Sequence, residues 1–272
     1  MRFTVVPIPE ILKADVECIR VGAYDGESKL AINVCLNGLP GIVFQHHNGH
    51  SPIEHISTRF GSVTDTPTLF VYGQMTEPGL MDYRQEAFSN IQVVLKPHAL
   101  QTLMGLNAAV LTNSVVDLGE FSAGHLNMRL MEARNDQQRV SLMIDFLVSK
   151  LKQAKSRDCL VEESLRLIHH NSPAMTVKYL LEYLNISERQ FEKRFTQTVG
   201  LTPYFYMRVK RFNEAIRLMK TRPFDKLTDV AYALNYYDQS HFIRDIKAFS
   251  GITPKDLVQK VDFHADQRVY SY

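Results

Sequence analysis

One helical unit occurs twice in the C-terminal third of this chain, with its landmarks 51 residues apart: Phe191, Gly200, Thr202 and Pro203 recur as Phe242, Gly251, Thr253 and Pro254. In the first copy, Val177, Leu180, Leu181 and Leu184 fall at helical spacing, and in the second Leu227, Val230, Ala231 and Leu234 do the same. Each apolar helix ends at an asparagine, Asn185 or Asn235, the non-glycine residue best suited to a left-handed stop. Ser187 and Asp238 follow as N-caps of a second helix, and Gly-x-Thr-Pro closes each unit. Helix, short turn, capped helix and stop is the pattern of a helix-turn-helix. A chain holding it twice must build two small helical cores in tandem.

The second helix of each unit has two unlike faces. Phe191 and Phe195, or Phe242 and Ile246, sit four residues apart and anchor it inward. The opposite face carries Glu188, Arg189, Gln190, Glu192 and Lys193 in one copy, and Gln239, Ser240, His241, Ile243, Arg244 and Lys247 in the other. Long polar side chains at a helix N-terminus are what a recognition helix presents to base edges. Between the units, Tyr204–Lys220 has Phe205, Val209, Phe212, Ala215, Ile216 and Met219 on one side, no internal Gly or Pro, and Pro223 soon after its end. This predicts a linker helix that sets two recognition helices against successive major grooves, about 34 Å apart.

Charge supports that reading. Residues 1–157 hold 14 Lys/Arg against 15 Asp/Glu, whereas residues 158–262 hold 16 against 13. Most of the excess lies from Ser187 to Arg222, where nine basic residues meet only Glu188, Glu192 and Glu214. A basic stripe suits a phosphate binder, and Lys210 and Arg211 are candidates for phosphate contacts that set register.

The N-terminal part has a different grammar. Short, alternating or β-branched runs at Glu17–Ala23, Ala31–Leu36, Gly41–His47, Thr68–Tyr72, Met81–Gln85 and Ile91–Leu95 predict a β-sandwich or small barrel. Helices are expected at His98–Met104, Leu126–Ala133 and, most strongly, Asp136–Lys155, N-capped by Asn135 or Asp136. The polar stretch Gln153–Asp158 marks the boundary. The expected division is residues 1–157 as a β-rich sensory or dimerisation domain, 158–262 as the double helix-turn-helix, and 263–272 as a tail. The fold class is α+β, with an all-α second domain.

Several functions are disfavoured. No apolar run approaches the roughly 18 residues of a membrane span, and the start lacks a signal-peptide core. Cys18, Cys35 and Cys159 are scattered and odd in number, which suits a reducing cytoplasm. No Gly-x-Gly-x-x-Gly or phosphate-cradling loop occurs. His46, His47, His50 and His55 would be the metal ligands of a β-barrel enzyme, but Gly49, Ser51 and Pro52 make their segment a loop of solvated histidines. No catalytic set, metal site or cofactor is expected. Phe44, Phe60, Phe70, Tyr72, Tyr83 and Phe88 are candidates either for core or for the lining of an apolar pocket.

From about 160 to 260 the chain resembles the paired helix-turn-helix domain of AraC-type transcriptional regulators. The carriers are Val230-Ala231, Asn235-Tyr236, Asp238-Gln-Ser-His-Phe242, Ile246-Lys247 and Gly251-Ile-Thr253-Pro254. Asparagine stands where that family has a turn glycine, and Leu181 where it has a small residue. The resemblance implies a bacterial, cytoplasmic regulator of the activator type that binds double-stranded DNA and works with RNA polymerase. It implies base contacts from Arg189, Gln190, Glu192 and Lys193, and from Gln239, Ser240, His241 and Arg244. Arg194, Lys210, Arg211 and Lys247 are expected on phosphates. The stretch Pro40–Leu147 is similar to an N-terminal domain of unassigned function that precedes such pairs, through Phe70, Lys96-Pro97, Leu103 to Gly105, Thr112-Asn113 and Val116-Asp117. In this family that domain binds a small-molecule effector or joins a homodimer. It is expected to do no chemistry.

Overall fold

The N-terminal half stacks two antiparallel sheets, and the strand sequences show which face of each is dry. In the computed structural model the strands are β1 (Arg2–Val6), β2 (Val16–Tyr24), β3 (Ala31–Val34), β4 (Gly41–His46), β5 (Ile53–Thr58) and β6 (Gly61–Thr64). They continue with β7 (Leu69–Tyr72), β8 (Gly79–Tyr83), β9 (Phe88–Leu95), β10 (Val115–Asp117), β11 (Asp262–His264) and β12 (Gln267–Ser271). The structure describes the whole chain except residues 60, 122–124, 155–156, 172, 222–226, 261, 265–266 and 272, with backbone only from 258 onward.

One sheet runs β1-β2-β9-β4-β7-β10 and the other β11-β12-β3-β8-β5-β6. In the first sheet β4 and β9 are buried almost throughout, because both faces are covered. Ile42, Phe44, Val71, Val93 and Leu95 pack one face against Leu100, Leu103, Leu130, Met143 and Leu147 of the helices that follow. Val43 and Phe70 point the other way, toward Ile32, Ile53 and Tyr83 of the second sheet. Of the two expected forms, the sandwich is the one built; the sheets do not close into a barrel. Exposed edge strands explain this: β6 is exposed along its whole length and offers nothing to bury against another edge.

The helices are α1 (Ala99–Met104), α2 (Leu126–Glu132), α3 (Asp136–Gln153), α4 (Cys159–Asn171), α5 (Val177–Leu184), α6 (Glu188–Val199), α7 (Pro203–Thr221), α8 (Leu227–Ala233), α9 (Gln239–Ser250) and α10 (Pro254–Lys260). Asn135 caps α3 by accepting the Gln138 N–H. Of residues 263–272, set apart as a tail, 263–264 fall in β11 and 267–271 in β12; the two strands pair antiparallel, and β12 also pairs antiparallel with β3. No described helix is long and apolar enough to cross a membrane. Arg222 and Phe60, named above, lie outside the described residues.

Candidate nucleic-acid interface

The repeat folds as two matched units. Asn185 and Asn235 both adopt the left-handed conformation, with φ of 48° and 55°. The chain can therefore reverse after α5 and α8 without glycine. Gly200 and Gly251 end α6 and α9 in the same region, at φ 90° and 79°. Asp238 caps α9 by accepting the His241 N–H at 2.7 Å. Ser187 does not cap α6 through its side chain; its hydroxyl lies 3.0 Å from Gln190 Oε1 instead. Phe191, Phe195, Phe242 and Ile246 are each at most 1 % exposed, so the inward faces are fully used. Two separate cores result, one around Phe191 and Phe195 and one around Phe212, Phe242 and Phe249.

The outward faces are open. Arg189, Gln190, Glu192 and Lys193 are exposed on α6, and Gln239, Ser240, Arg244 and Lys247 on α9. His241 is half-buried, edge-on to Tyr236 at 5.3 Å and 4.0 Å from Asp245. Arg194 is exposed but gripped by Asp158 through two bonds of 2.9 and 2.6 Å. Burial is the largest single influence and raises the Asp158 pKa, but the hydrogen bond and charge of Arg194 together with the Val161 and Leu160 N–H groups outweigh it and hold the carboxyl below its usual range. A phosphate must displace Asp158 to reach Arg194. Lys210 and Arg211 are half-buried on α7, with the Arg211 guanidinium 5.3 Å from the Tyr236 ring centre. The 19 residues of α7 span about 28 Å.

Arg208, counted above in the basic stripe, does something else. It donates from Nη2 to Asp245 at 2.6 Å, tying α7 to α9 beneath the recognition surface. Burial weakens its charge, yet the buried Asp245 carboxylate prevails and holds the guanidinium above its ordinary pKa.

Helices α6 and α9 are docked at their C-terminal ends on the N-terminal half. A helix leaves its last carbonyls without intrahelical partners. The Gly200 carbonyl accepts from Thr112 Oγ1 at 2.6 Å, and the Phe249 carbonyl accepts from the Leu36 N–H at 3.1 Å. Asn213 Nδ2 donates to the Asn37 carbonyl at 2.7 Å. Cys35 and Leu36 are buried in the core of the second unit. Gly38 takes φ +76° against Tyr206, where an added Cβ would come within 3.2 Å of that ring. Thr112→Val should leave the Gly200 carbonyl without its donor and lower stability by about 1 kcal/mol. Urea denaturation of the full chain measures this.

The same N-terminal segments border a cavity of about 340 Å³ between the sheets. Val43, Ile53, Phe70, Tyr72, Met81 and Tyr83 make much of its wall, so three of the six candidate aromatics line it. Phe44 and Phe88 instead belong to the packed cores. His47 and His50 lie 3.6 and 3.0 Å from Glu86, and His55 lies 2.9 Å from Asp82. Among the described residues no group of three or more ligating side chains is placed to hold a metal ion.

Residues 180–260 match the family model described as a helix-turn-helix domain, and residues 4–117 match one described as a domain of unknown function (DUF6597). No curated protein matches the chain. Among solved structures, an apo lysine-to-alanine variant of ToxT from Vibrio cholerae is 16% identical, with a TM-score of 0.48, over 89% of this chain and 97% of that one. Wild-type ToxT from the same organism with an unsaturated fatty acid bound is 15% identical, with a TM-score of 0.48, over 90% and 95%. An AraC-type DNA-binding domain protein from Chromobacterium violaceum is 23% identical, with a TM-score of 0.34, over 37% of this chain and 89% of that one. The chain thus carries a helix-turn-helix domain, a DNA-binding motif, behind a domain of unknown function.

Proposed function

We propose that α6 and α9 enter successive major grooves of one duplex, and that a small molecule in the N-terminal cavity biases how they are held. The observation that carries the reading is the matched pair of helices with identical stops, free polar N-terminal faces and docked C-termini. Arg189, Gln190, Glu192 and Lys193 serve base edges in one groove, and Gln239, Ser240, His241 and Arg244 in the next. Lys210, Arg211 and Lys247 serve phosphates, joined by Arg194 when DNA displaces Asp158. The N-terminal half senses and does no chemistry. Work with RNA polymerase, a homodimer and a cytoplasmic setting complete the reading, and rest on the family resemblance alone.

The coupling has a direct route. Val34, Asn37 and Leu39 line the cavity, and so do Asn113 and Ser114. The first set brackets Leu36, which holds Phe249, and the second follows Thr112, which holds Gly200. A ligand shifts DNA affinity through this wall only as far as it binds the two arrangements unequally.

The test compares two substitutions on α9. Arg244 sits one turn into the helix, where a guanidinium can grip a guanine edge with two bonds. Arg244→Ala is expected to cost about 1–3 kcal/mol on the cognate site and to relax specificity at one position. Lys247→Ala should weaken all sequences alike and lower the salt slope by about one. Titrations of matched and mismatched promoter fragments at several salt concentrations separate the two. Equal losses on both kinds of site from both variants would end the assignment.

A further inference from the structure

We infer that the cavity between the sheets takes an uncharged, largely apolar molecule bearing a hydroxyl or amide, and not a carboxylate or an amine. This rests on the effector reading above and sharpens it.

Two buried polar side chains on the wall set the requirement. Gln45 is fully buried; its Nε2 lies 3.4 Å from Ser51 Oγ, and its Oε1 has no hydrogen-bond partner. A buried carbonyl without a donor is costly, so this oxygen asks for an N–H or O–H from whatever fills the cavity. Gln92 asks for the reverse. Its Oε1 accepts from Arg20 Nε at 2.8 Å and Nη2 at 2.6 Å, so its NH2 end is the part that can serve a ligand. A hydroxyl or amide both donates and accepts.

Charge is disfavoured in both directions. Among the described lining residues there is no Lys, Arg or His to neutralise an anion. Arg20, fully buried on the same sheet, already directs two N–H groups at Gln92. Among the described lining residues Glu77 alone is charged; its Oε2 makes no hydrogen bond but lies 3.3 Å from Arg59 Nε, which already supplies its counter-charge. An ion entering this apolar space would lose its water and gain no new counter-charge. The aromatic and aliphatic wall and the volume of about 340 Å³ suit a compact ring system.

The experiment uses the full chain and four probes with one ring body: naphthalene, naphthol, naphthoate and naphthylmethylamine, titrated at neutral pH by calorimetry. Naphthol is expected to bind roughly tenfold or more tighter than either charged probe. Gln45→Leu should weaken naphthol about tenfold and leave naphthalene nearly unchanged. If that variant does not fold, the wild-type order of the four probes decides alone. Tighter binding of naphthoate or naphthylmethylamine would overturn the ligand class while leaving an effector cavity in place. Failure of every probe would also overturn it. The effector reading falls separately, if Val115→Phe, which fills the cavity, leaves regulated expression in cells unchanged.

Discussion

Phe242→Ala is expected to abolish the second helix-turn-helix, lowering stability by about 3–5 kcal/mol. Phe242 is fully buried, sits 5.3 Å from the Tyr236 ring, and shares its core with Phe212, Val230 and Phe249. Truncation leaves a void that neighbours on three helices cannot close. Its counterpart Phe191 is 1 % exposed in the other core. The loss is therefore local: thermal melts should separate into two transitions, and DNA protection should vanish from one half-site only. A single melt with both half-sites equally weakened would show that the two units stand or fall together.

The second large effect is expected at Asp15. It is fully buried, hydrogen-bonded by Arg157, and 3.4 Å from His98, while Arg157 also reaches Glu162 at 3.1 Å. This cluster ties the loop before β2 to the start of α4. Asp15→Ala should cost about 3 kcal/mol, the low end for a broken buried pair, because Arg157 is partly solvated and keeps Glu162. Burial raises the Asp15 pKa, but the close approach of His98 and the bond and charge of Arg157 together outweigh it and hold it below the usual range. A carboxyl depressed in the folded state contributes stability above its unfolded pKa of about 4, and that stability is lost as pH falls through the folded value. Urea titrations should show the wild-type chain losing this contribution below about pH 4, with the variant's acid limb flatter.

What could be read from the sequence follows from where each signal lives. The repeat was legible because caps, stops and apolar periodicity are local. Asn185, Asn235, Gly200 and Gly251 take the left-handed turns expected of them. The strands β4, β7 and β9 were found from β-branched runs. β6 was missed because Gly61-Ser-Val-Thr64 is wholly exposed and is held only by pairing with β5. The cavity was half legible: Phe70, Tyr72 and Tyr83 were candidates, but Gln45 and Gln92 look like ordinary alternation until both prove to face inward. The docking of the two halves left no trace in composition. It runs largely through main-chain groups, such as the Leu36 N–H on the Phe249 carbonyl, which every residue type supplies. Arg208 was grouped with the basic stripe because its charge is visible in sequence and its buried partner Asp245 is not.

The capture of both recognition helices by their last carbonyls makes the protein a gauge. The ends of α6 and α9 are referenced to the N-terminal half through Gly200 and Phe249, and to each other through α7. A duplex completes a turn in about 10–10.5 base pairs, so one inserted pair swings the second half-site by roughly 35° around the axis. A gauge fixed at both readers follows that swing poorly. Its operators should therefore be defined as much by the phase between half-sites as by the bases within them. Freeing one carbonyl should widen the range of spacings tolerated while leaving the preference at each base as it was.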